Sequence, residues 1–311
     1  MKQIEIFSPA TIANVSCGFD VLGCCLDSIG DKMVLRKTQE PGVRIGKIIG
    51  EQLPLEAEKN VASVAVIQMM KDLEVAPDFG IEIDIYKNIK PGSGVGSSAA
   101  SAAGAVFAAN ELLGNPFSSH QLIPYAAEGE RAACGAPIAD NVAPALLGGF
   151  TLVKSDDPIK VLELPSIEGL YATIIHPQIE IKTSVSRDIL PQTVKLKSAI
   201  KQWANVGALI HSLHTNDPHL FAESLNDYIV EPHRSKLIPE FDNVIKHAVK
   251  AGALGGGISG SGPSIFTFSK NKQVAHKVSL AIDEVYKKTK IPFQIYTSKI
   301  NVEGVKIVKK Q

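Results

Sequence analysis

The stretch Pro91-Gly92-Ser93-Gly94-Val95-Gly96-Ser97-Ser98-Ala99-Ala100-Ser101 decides how this chain is read. It joins two segments of different period. Before it, Phe79, Ile81, Ile83 and Ile85 alternate with Glu82, Asp84 and Tyr86, which predicts a strand with one buried face. After it, residues 98 to about 113 are alanine-rich and predict a helix. Between them the glycines permit positive φ angles and let the backbone approach a ligand closely. Consecutive N–H groups in such a loop form an anion-binding nest. The free N–H groups and dipole of the following helix favour a phosphate at the same spot. Ser97 and Ser98 add hydroxyls that suit phosphate oxygens or Mg²⁺.

The loop is also defined by what it lacks. It has no Gly-Lys-Ser/Thr, so it is not a Walker A loop. Ser97 stands where a dinucleotide-binding loop has its third glycine. Gly255-x-Gly257-x-x-Gly260 does fit the dinucleotide spacing, but it is predicted to follow a helix and precede a strand, the reverse of the required order. Asp78-Phe79-Gly80 spells the protein-kinase metal motif without any His-Arg-Asp loop. His211, His214 and His219 have no carboxylate or cysteine at ligand spacing and read as ordinary histidines.

Outward from the loop, strands and helices are mixed. Ile4 and Ile6 alternate with polar neighbours as a half-buried strand. Residues 58–73 carry Val61, Val64, Ala65 and Met69 at helical spacing. Ser118 and Gln121 make a capping box, with Phe117 placed to staple onto Leu122, and that helix should stop at Gly135. Residues 146–153 are predicted to return as a strand after Gly148-Gly149. Breaks at 154–158 and 164–166 mark the domain boundary, giving domains of 1–165 and 166–311. Beyond it come a strand at 171–175 and helices at 195–213, 218–228 and 239–250. A strand at 264–269, a helix at 272–288 and strands at 293–297 and 305–308 complete an α+β reading in two halves.

Composition narrows the function. The chain has 311 residues, 45% of them hydrophobic and 21% charged, enough to fill two cores. Lys plus Arg and Asp plus Glu are 32 each. There is no basic excess, so nucleic acid is not an expected partner. No run reaches the about 18 apolar residues that span a bilayer, and the charged N-terminal stretch reads as a strand, not a signal peptide. Cys17, Cys24, Cys25 and Cys134 form no Cys-x-x-Cys pair and are expected as reduced, partly buried thiols in the cytoplasm.

Three motifs occur in order. They are Ser8-Pro9-Ala10-Thr11-Ile12-Ala13-Asn14 running on to Gly18-Phe19-Asp20 and Leu22-Gly23, the loop at 91–101, and Gly255-Gly256-Gly257-Ile258-Ser259-Gly260-Ser261-Gly262-Pro263. Together they resemble the GHMP kinases, a family of galactokinases, homoserine kinases, mevalonate kinases and phosphomevalonate kinases. The likeness covers nearly the whole chain. It is strongest to the homoserine kinase branch, through Asn14 with Gly18-Phe19-Asp20, Asp140-Asn141-Val142-Ala143-Pro144, Ser186-Arg187-Asp188-Ile189-Leu190-Pro191 and Glu231-Pro232-His233-Arg234. It implies a two-domain α+β fold, with a left-handed β-α-β unit in the N-terminal domain and a ferredoxin-like C-terminal domain. Periodicity alone would have predicted the usual right-handed crossover.

The resemblance also implies chemistry and roles: ATP-dependent phosphorylation of the hydroxyl of a small amino acid, L-homoserine, as in threonine biosynthesis, with a homodimer expected. Asn60, Pro91, Gly92, Ser93, Gly94, Val95, Gly96, Ser97, Ser98, Ala99 and Gly260 would bind the nucleotide. Ser98 and Glu130 would hold Mg²⁺. Arg187 and Arg234 offer guanidinium forks suited to a carboxylate, and Asn14 and Asp20 offer acceptors to an ammonium. Asn141 would orient the hydroxyl, with Asp140 as candidate base. One position departs from the family. Homoserine kinases usually carry a histidine two residues before the Asp140 position, and this chain has the apolar Ile138. The rival readings are a mevalonate-type kinase, which the two arginines and Asp20 oppose, and a ligand-binding relative without catalysis.

Overall fold

The computed structural model of the protein describes residues 1–73, 77–181 and 183–311. The first half of the chain builds β1 (Gln3–Ala13), β2 (Leu22–Thr38), β3 (Gly42–Ile49), α1 (Val61–Lys71) and β4 (Gly80–Tyr86). Then follow α2 (Ser97–Leu113), α3 (Ser119–Cys134), α4 (Ala139–Leu147) and the hairpin β5 (Phe150–Asp156) and β6 (Ile159–Leu164). Strands run in the order β1-β2-β4-β3, with β5 on the start of β2 and β6 on β5. Strands β3 and β4 pair in parallel, with α1 as their crossover, whereas the other pairings are antiparallel.

The chain then crosses to a second sheet at β7 (Tyr171–Pro177) and continues through α5 (Thr183–Asp188), α6 (Leu196–Thr215), α7 (Pro218–Ser224), α8 (Glu231–Arg234) and α9 (Phe241–Lys250). It returns to that sheet in β8 (Gly255–Ile258) and β9 (Ile265–Ser269), then runs through α10 (Lys272–Tyr286) to β10 (Phe293–Lys299). The order β10-β7-β9-β8, all antiparallel, places the fourth strand beside the first and the third beside the second. This is the ferredoxin-like arrangement. The last strand, β11 (Lys306–Lys310), goes back to pair with β1.

Small residues let the layers close. Helix α2 is buried along most of its length, as its alanines require. Its Gly104 lies so near β1 that a Cβ there would meet Ser8 Cβ and Met33 Sδ at 2.8 Å. On α3, a Cβ on Gly129 would meet the Val61 carbonyl at 2.6 Å. A bare glycine therefore lets α3 dock on the first turn of α1, and it carries the neighbouring Glu130 inward. Helices α1 to α4 cover one core with β1, β2 and β4. A second core lies around Phe150, Phe221, Phe266 and Phe268, whose rings touch edge-to-face or tilted.

The expected elements recur with identifiable corrections. Residues 146–153 are not one strand: 139–147 are helical, Gly148 and Gly149 turn the chain at φ +79° and +60°, and the strand begins at Phe150. A nine-residue helix containing Pro144 is too short for its period to stand out. The helix expected over 218–228 stops at Ser224. There the Asp227 carboxylate accepts the N–H groups of Ile229, Val230 and Glu231 and opens α8. The helix expected from 239 begins at Phe241, and residues 255–258 are themselves a strand. The Ser118–Gln121 capping box and the stop at Gly135 are both present. Cys17, Cys24 and Cys25 are free and fully buried, with burial pushing the Cys17 thiol up to about 12; the Cys134 side chain lies outside the described residues. Among the described residues no helix is long and apolar enough to cross a membrane.

Candidate active site

A cleft of about 450 Å³ opens between the Gly-rich loop and the turn joining β8 to β9. It gathers residues that the sequence scatters over almost the whole chain. Asn14, Asp20, Asn60, Pro91, Gly92, Gly94, Gly96, Ser97, Ser98, Glu130, Ile138, Asp140, Asn141, Arg187, Arg234 and Gly260 all line it. Ser93, Val95 and Ala99 do not; they are buried behind the loop.

The loop is held from three sides. Gly92, Gly94 and Gly96 adopt φ of +73°, +82° and +70°, the region only glycine enters without cost. At Gly96 a Cβ would lie 2.1 Å from Thr11 Oγ1 and 3.0 Å from Asn141 Oδ1. At Gly94 it would meet the carbonyls of Ser259 and Gly262 at 2.7 and 2.8 Å, and Ser259 Oγ donates to the Gly94 carbonyl at 2.7 Å. Ser97 Oγ donates to the Ile89 carbonyl at 2.8 Å. Its proton is therefore committed to closing the loop, and Ser98 is the hydroxyl that points to the acidic wall. Behind the loop, the buried Lys87 ammonium donates to Asp31, to the Ser97 carbonyl at 2.8 Å and to Ser101 Oγ at 3.1 Å. Asp31 in turn accepts the N–H groups of Asn88 and Ile89. This network pins the first turn of α2, whose N-terminus faces the cleft.

Two of the cleft's carboxyls, Glu130 and Asp140, are buried. Ser98 Oγ donates to Glu130 Oε2 at 3.1 Å. Burial lifts the Glu130 carboxyl to about 7, against the pull of the Ser98 hydrogen bond and the Lys87 charge. Burial likewise lifts Asp140 to about 7, aided by the charges of Asp20 and Glu130 and opposed by Arg187 and the Asn141 N–H. Both sit on first turns or inward faces that α3 and α4 present to α2. Asn141 is fixed at both ends of its amide: Oδ1 accepts from Thr11 Oγ1 at 2.7 Å, and Nδ2 lies 3.3 Å from Asp140 Oδ1.

The far end of the cleft carries the cations. Asn14, Val15, Ser16 and Asp20 all have positive φ, from +42° to +70°; such strained residues concentrate at functional sites. The strain is held by Asn14, whose Oδ1 accepts the Asp20 N–H at 3.1 Å and whose Nδ2 donates to the Gly260 carbonyl at 2.8 Å. Arg234 is buried, with Nε on the Ser186 carbonyl at 2.9 Å and Nη1 on the Gly260 carbonyl at 3.0 Å. Arg187 forms a two-pronged pair with Asp20. Asn60 serves first as the cap of α1, accepting the Ala62 N–H and donating to the Pro54 carbonyl.

Sequence reading missed Lys87, Asp31 and Thr11 as supports of the site. Lys87 and Asp31 are 56 residues apart, and nothing local marks them as a pair.

Comparison with known proteins follows the same lines. Residues 60–149 match the GHMP kinases N terminal domain and residues 206–288 match GHMP kinases C terminal. The chain is 43% identical to the homoserine kinase of Chlorobium phaeobacteroides (strain BS1) over 320 residues, covering 99% of this chain and 100% of that one. The crystal structure of homoserine kinase from Cytophaga hutchinsonii superposes with a TM-score of 0.95 at 48% identity, covering 99% of this chain and 98% of that one. A more distant likeness is to the crystal structure of L. major mevalonate kinase in complex with R-mevalonate, which gives a TM-score of 0.71 at 16% identity over 95% of each chain and shares the fold.

Proposed function

We infer, from the premise that the chain belongs to the GHMP kinase family, that it is a homoserine kinase: it transfers the terminal phosphoryl group of ATP to the side-chain hydroxyl of L-homoserine. The observation that carries the reading is the two-ended cleft. A Gly-rich loop and helix N-terminus stand at one end, and Arg187, Arg234 and Asp20 stand at the other. A zwitterionic amino acid needs cationic and anionic partners together. Neutral sugars do not call for two arginines.

Phosphoryl transfer is mainly positioning and charge stabilisation. The loop N–H groups and the α2 N-terminus bind the phosphates. Arg234 and Arg187 bind the substrate carboxylate, and Asp20 and Asn14 bind its ammonium. Asn141, held by Thr11, orients the hydroxyl toward the phosphate end. Asp140 stands beside Asn141 with a carboxyl near 7, a value suited to accepting a proton at neutral pH. Ile138 supplies an apolar wall where the substrate methylenes pass. Ser98 Oγ and the Glu130 carboxyl, 3.1 Å apart, are hard oxygen donors that fit Mg²⁺, which prefers one or two carboxylates with phosphate and water. When bound there, Mg²⁺ would neutralise phosphate charge.

The test is incubation of the purified protein with ATP, Mg²⁺ and L-homoserine, followed by phosphorus NMR. O-phosphohomoserine and ADP are the expected products. Faster turnover of mevalonate or galactose would overturn the assignment, and failure to turn over any small alcohol would favour a ligand-binding relative.

A further inference from the structure

Phe19 lies in the strained loop between β1 and β2, one residue before Asp20. It is half-buried, yet it belongs to none of the three core clusters among the described residues. A large aromatic ring outside the core needs another reason for its place. Its neighbours supply one. The Arg234 guanidinium carbon lies 4.9 Å from the ring centroid and that of Arg187 lies 6.0 Å away. Both fall within the reach at which a ring face attracts a cation.

Two guanidinium groups close together repel one another, and burial already works against the charge of Arg234, with Arg187 adding to that effect. The negative face of an aromatic ring offsets part of this cost while adding no hydrogen-bond acceptor that would compete with a ligand. The backbone carbonyls of Ser186 and Gly260 fix only the Nε and Nη1 edge of Arg234. The ring adds a third contact to the same group, 4.9 Å from the guanidinium carbon. The loop beneath the ring is held rigid, because Asn14 ties Asp20 to Gly260 and the Gly18 N–H donates to the Asn14 carbonyl at 2.8 Å. A Cβ on Gly18 would strike the Leu22 side chain at 2.4 Å, so the chain passes there only as glycine.

We propose that Phe19 is a positioning residue that determines specificity: its ring is the surface against which Arg187 and Arg234 are held, so that both forks meet one planar carboxylate. The proposal rests on the homoserine kinase reading and deepens it. It assigns the discrimination between an amino acid and a carboxylate-free amino alcohol to a residue that makes no hydrogen bond to the substrate.

The test compares the full-length parent with Phe19→Leu and Phe19→Tyr. Leucine keeps an apolar side chain and loses the ring face; tyrosine keeps the face. For Phe19→Leu, KM for homoserine should rise about five- to thirty-fold, the size of one or two partly desolvated cation–π contacts. KM for ATP should stay within about twofold, since the phosphates are bound elsewhere. The preference for homoserine over 3-aminopropanol should shrink by a similar factor, and Phe19→Tyr should retain it. Unchanged discrimination in an active Phe19→Leu enzyme would overturn the proposal, as would equal losses toward homoserine and ATP. Should Phe19→Leu not fold, Phe19→Met, which also lacks a ring, is read by the same criteria. A parent that does not phosphorylate homoserine would overturn the functional reading itself, a result distinct from a parent that does and a leucine variant that matches it.

Discussion

Arg187 and Asp20 grip each other across 167 residues of sequence, Nη1 to Oδ2 and Nη2 to Oδ1, both at 3.2 Å. The pair ties α5 to the β1–β2 loop at the edge of the cleft. Its two members are the groups assigned to the carboxylate and the ammonium of the substrate. In the free protein each therefore occupies the other's binding capacity. Both side chains are more than a third exposed, so the pair itself adds little stability. A zwitterion that inserts its two charges between them exchanges one ion pair for two.

Removing either arginine should weaken substrate binding selectively. Charge-assisted hydrogen bonds are worth about 1.5–3 kcal/mol, so Arg187→Ala and Arg234→Ala should each raise KM for homoserine about ten- to a hundred-fold. KM for ATP should hardly move. Lysine at either position should recover only part of the loss, because an ammonium cannot make a two-pronged contact. The kinetic comparison of homoserine with 3-aminopropanol checks this. A gap between the two substrates that survives in both alanine variants would contradict the assignment.

Glu130→Gln should lower turnover far more than stability. Burial disfavours the charged carboxylate, so a neutral isostere is no burden to the fold. The melting temperature should stay within about 3 °C of the parent. The Mg²⁺ concentration for half-activity should rise at least about tenfold, as it does even for losses outside the ligand shell. Activity across a Mg²⁺ titration, beside a thermal melt, decides the matter.

Asp140→Asn should stabilise the protein in a pH-dependent way. The folded-state value of about 7 lies above the ordinary carboxyl value of 3.8. Between the two, the folded protein holds a proton that the unfolded chain has released. The stability of the parent therefore falls as pH rises from about 4 to 7 and levels off above that. Asparagine carries no such loss. Its advantage should be near zero at pH 4 and greatest above pH 7, with an upper bound of about 4 kcal/mol. Urea unfolding at pH 4.5 and pH 8 measures it; an advantage independent of pH would show that Asp140 ionises freely.

Lys87→Met should destabilise the fold by about 3–5 kcal/mol, because it leaves the Asp31 charge buried without its partner. Asp31→Asn in the same chain should restore part of that loss. Strict additivity of the two changes would argue against a coupled pair.

Gly92 and Gly96 have nearly the same φ, +73° and +70°, and differ in surroundings. A Cβ on Gly92 meets nothing within 4 Å, whereas one on Gly96 strikes Thr11 Oγ1 at 2.1 Å. Gly92→Ala should cost about 1 kcal/mol of backbone strain. Gly96→Ala should lower kcat/KM for ATP more than tenfold beyond that, since Asn141 and the loop must both move. Similar kinetics in the two variants would mean that backbone conformation alone matters.

Much of the fold was legible because its signals are local. The alternation in β4, the alanines of α2, the Ser118–Gln121 capping box and the glycines of the loop each act through neighbours a few residues apart. Helix α4 was not legible, since nine residues containing Pro144 give too little period, and its apolar run reads equally well as a strand. The sequence by itself determined the strand, the Gly-rich loop and the helix start that follows it, because a nest and a helix N-terminus need only consecutive residues. It also determined the candidate site residues, through motifs whose spacing is specific. Tertiary structure alone decided which of them act together. Lys87 reaches Asp31, Thr11 orients Asn141, Phe19 faces two arginines, and the Ser97 hydroxyl turns away to Ile89 while that of Ser98 turns to Glu130. Each of these is a contact between segments far apart in the chain. Burial is what gives such contacts their strength, and burial comes into being only when the two sheets and their helices close around the cleft.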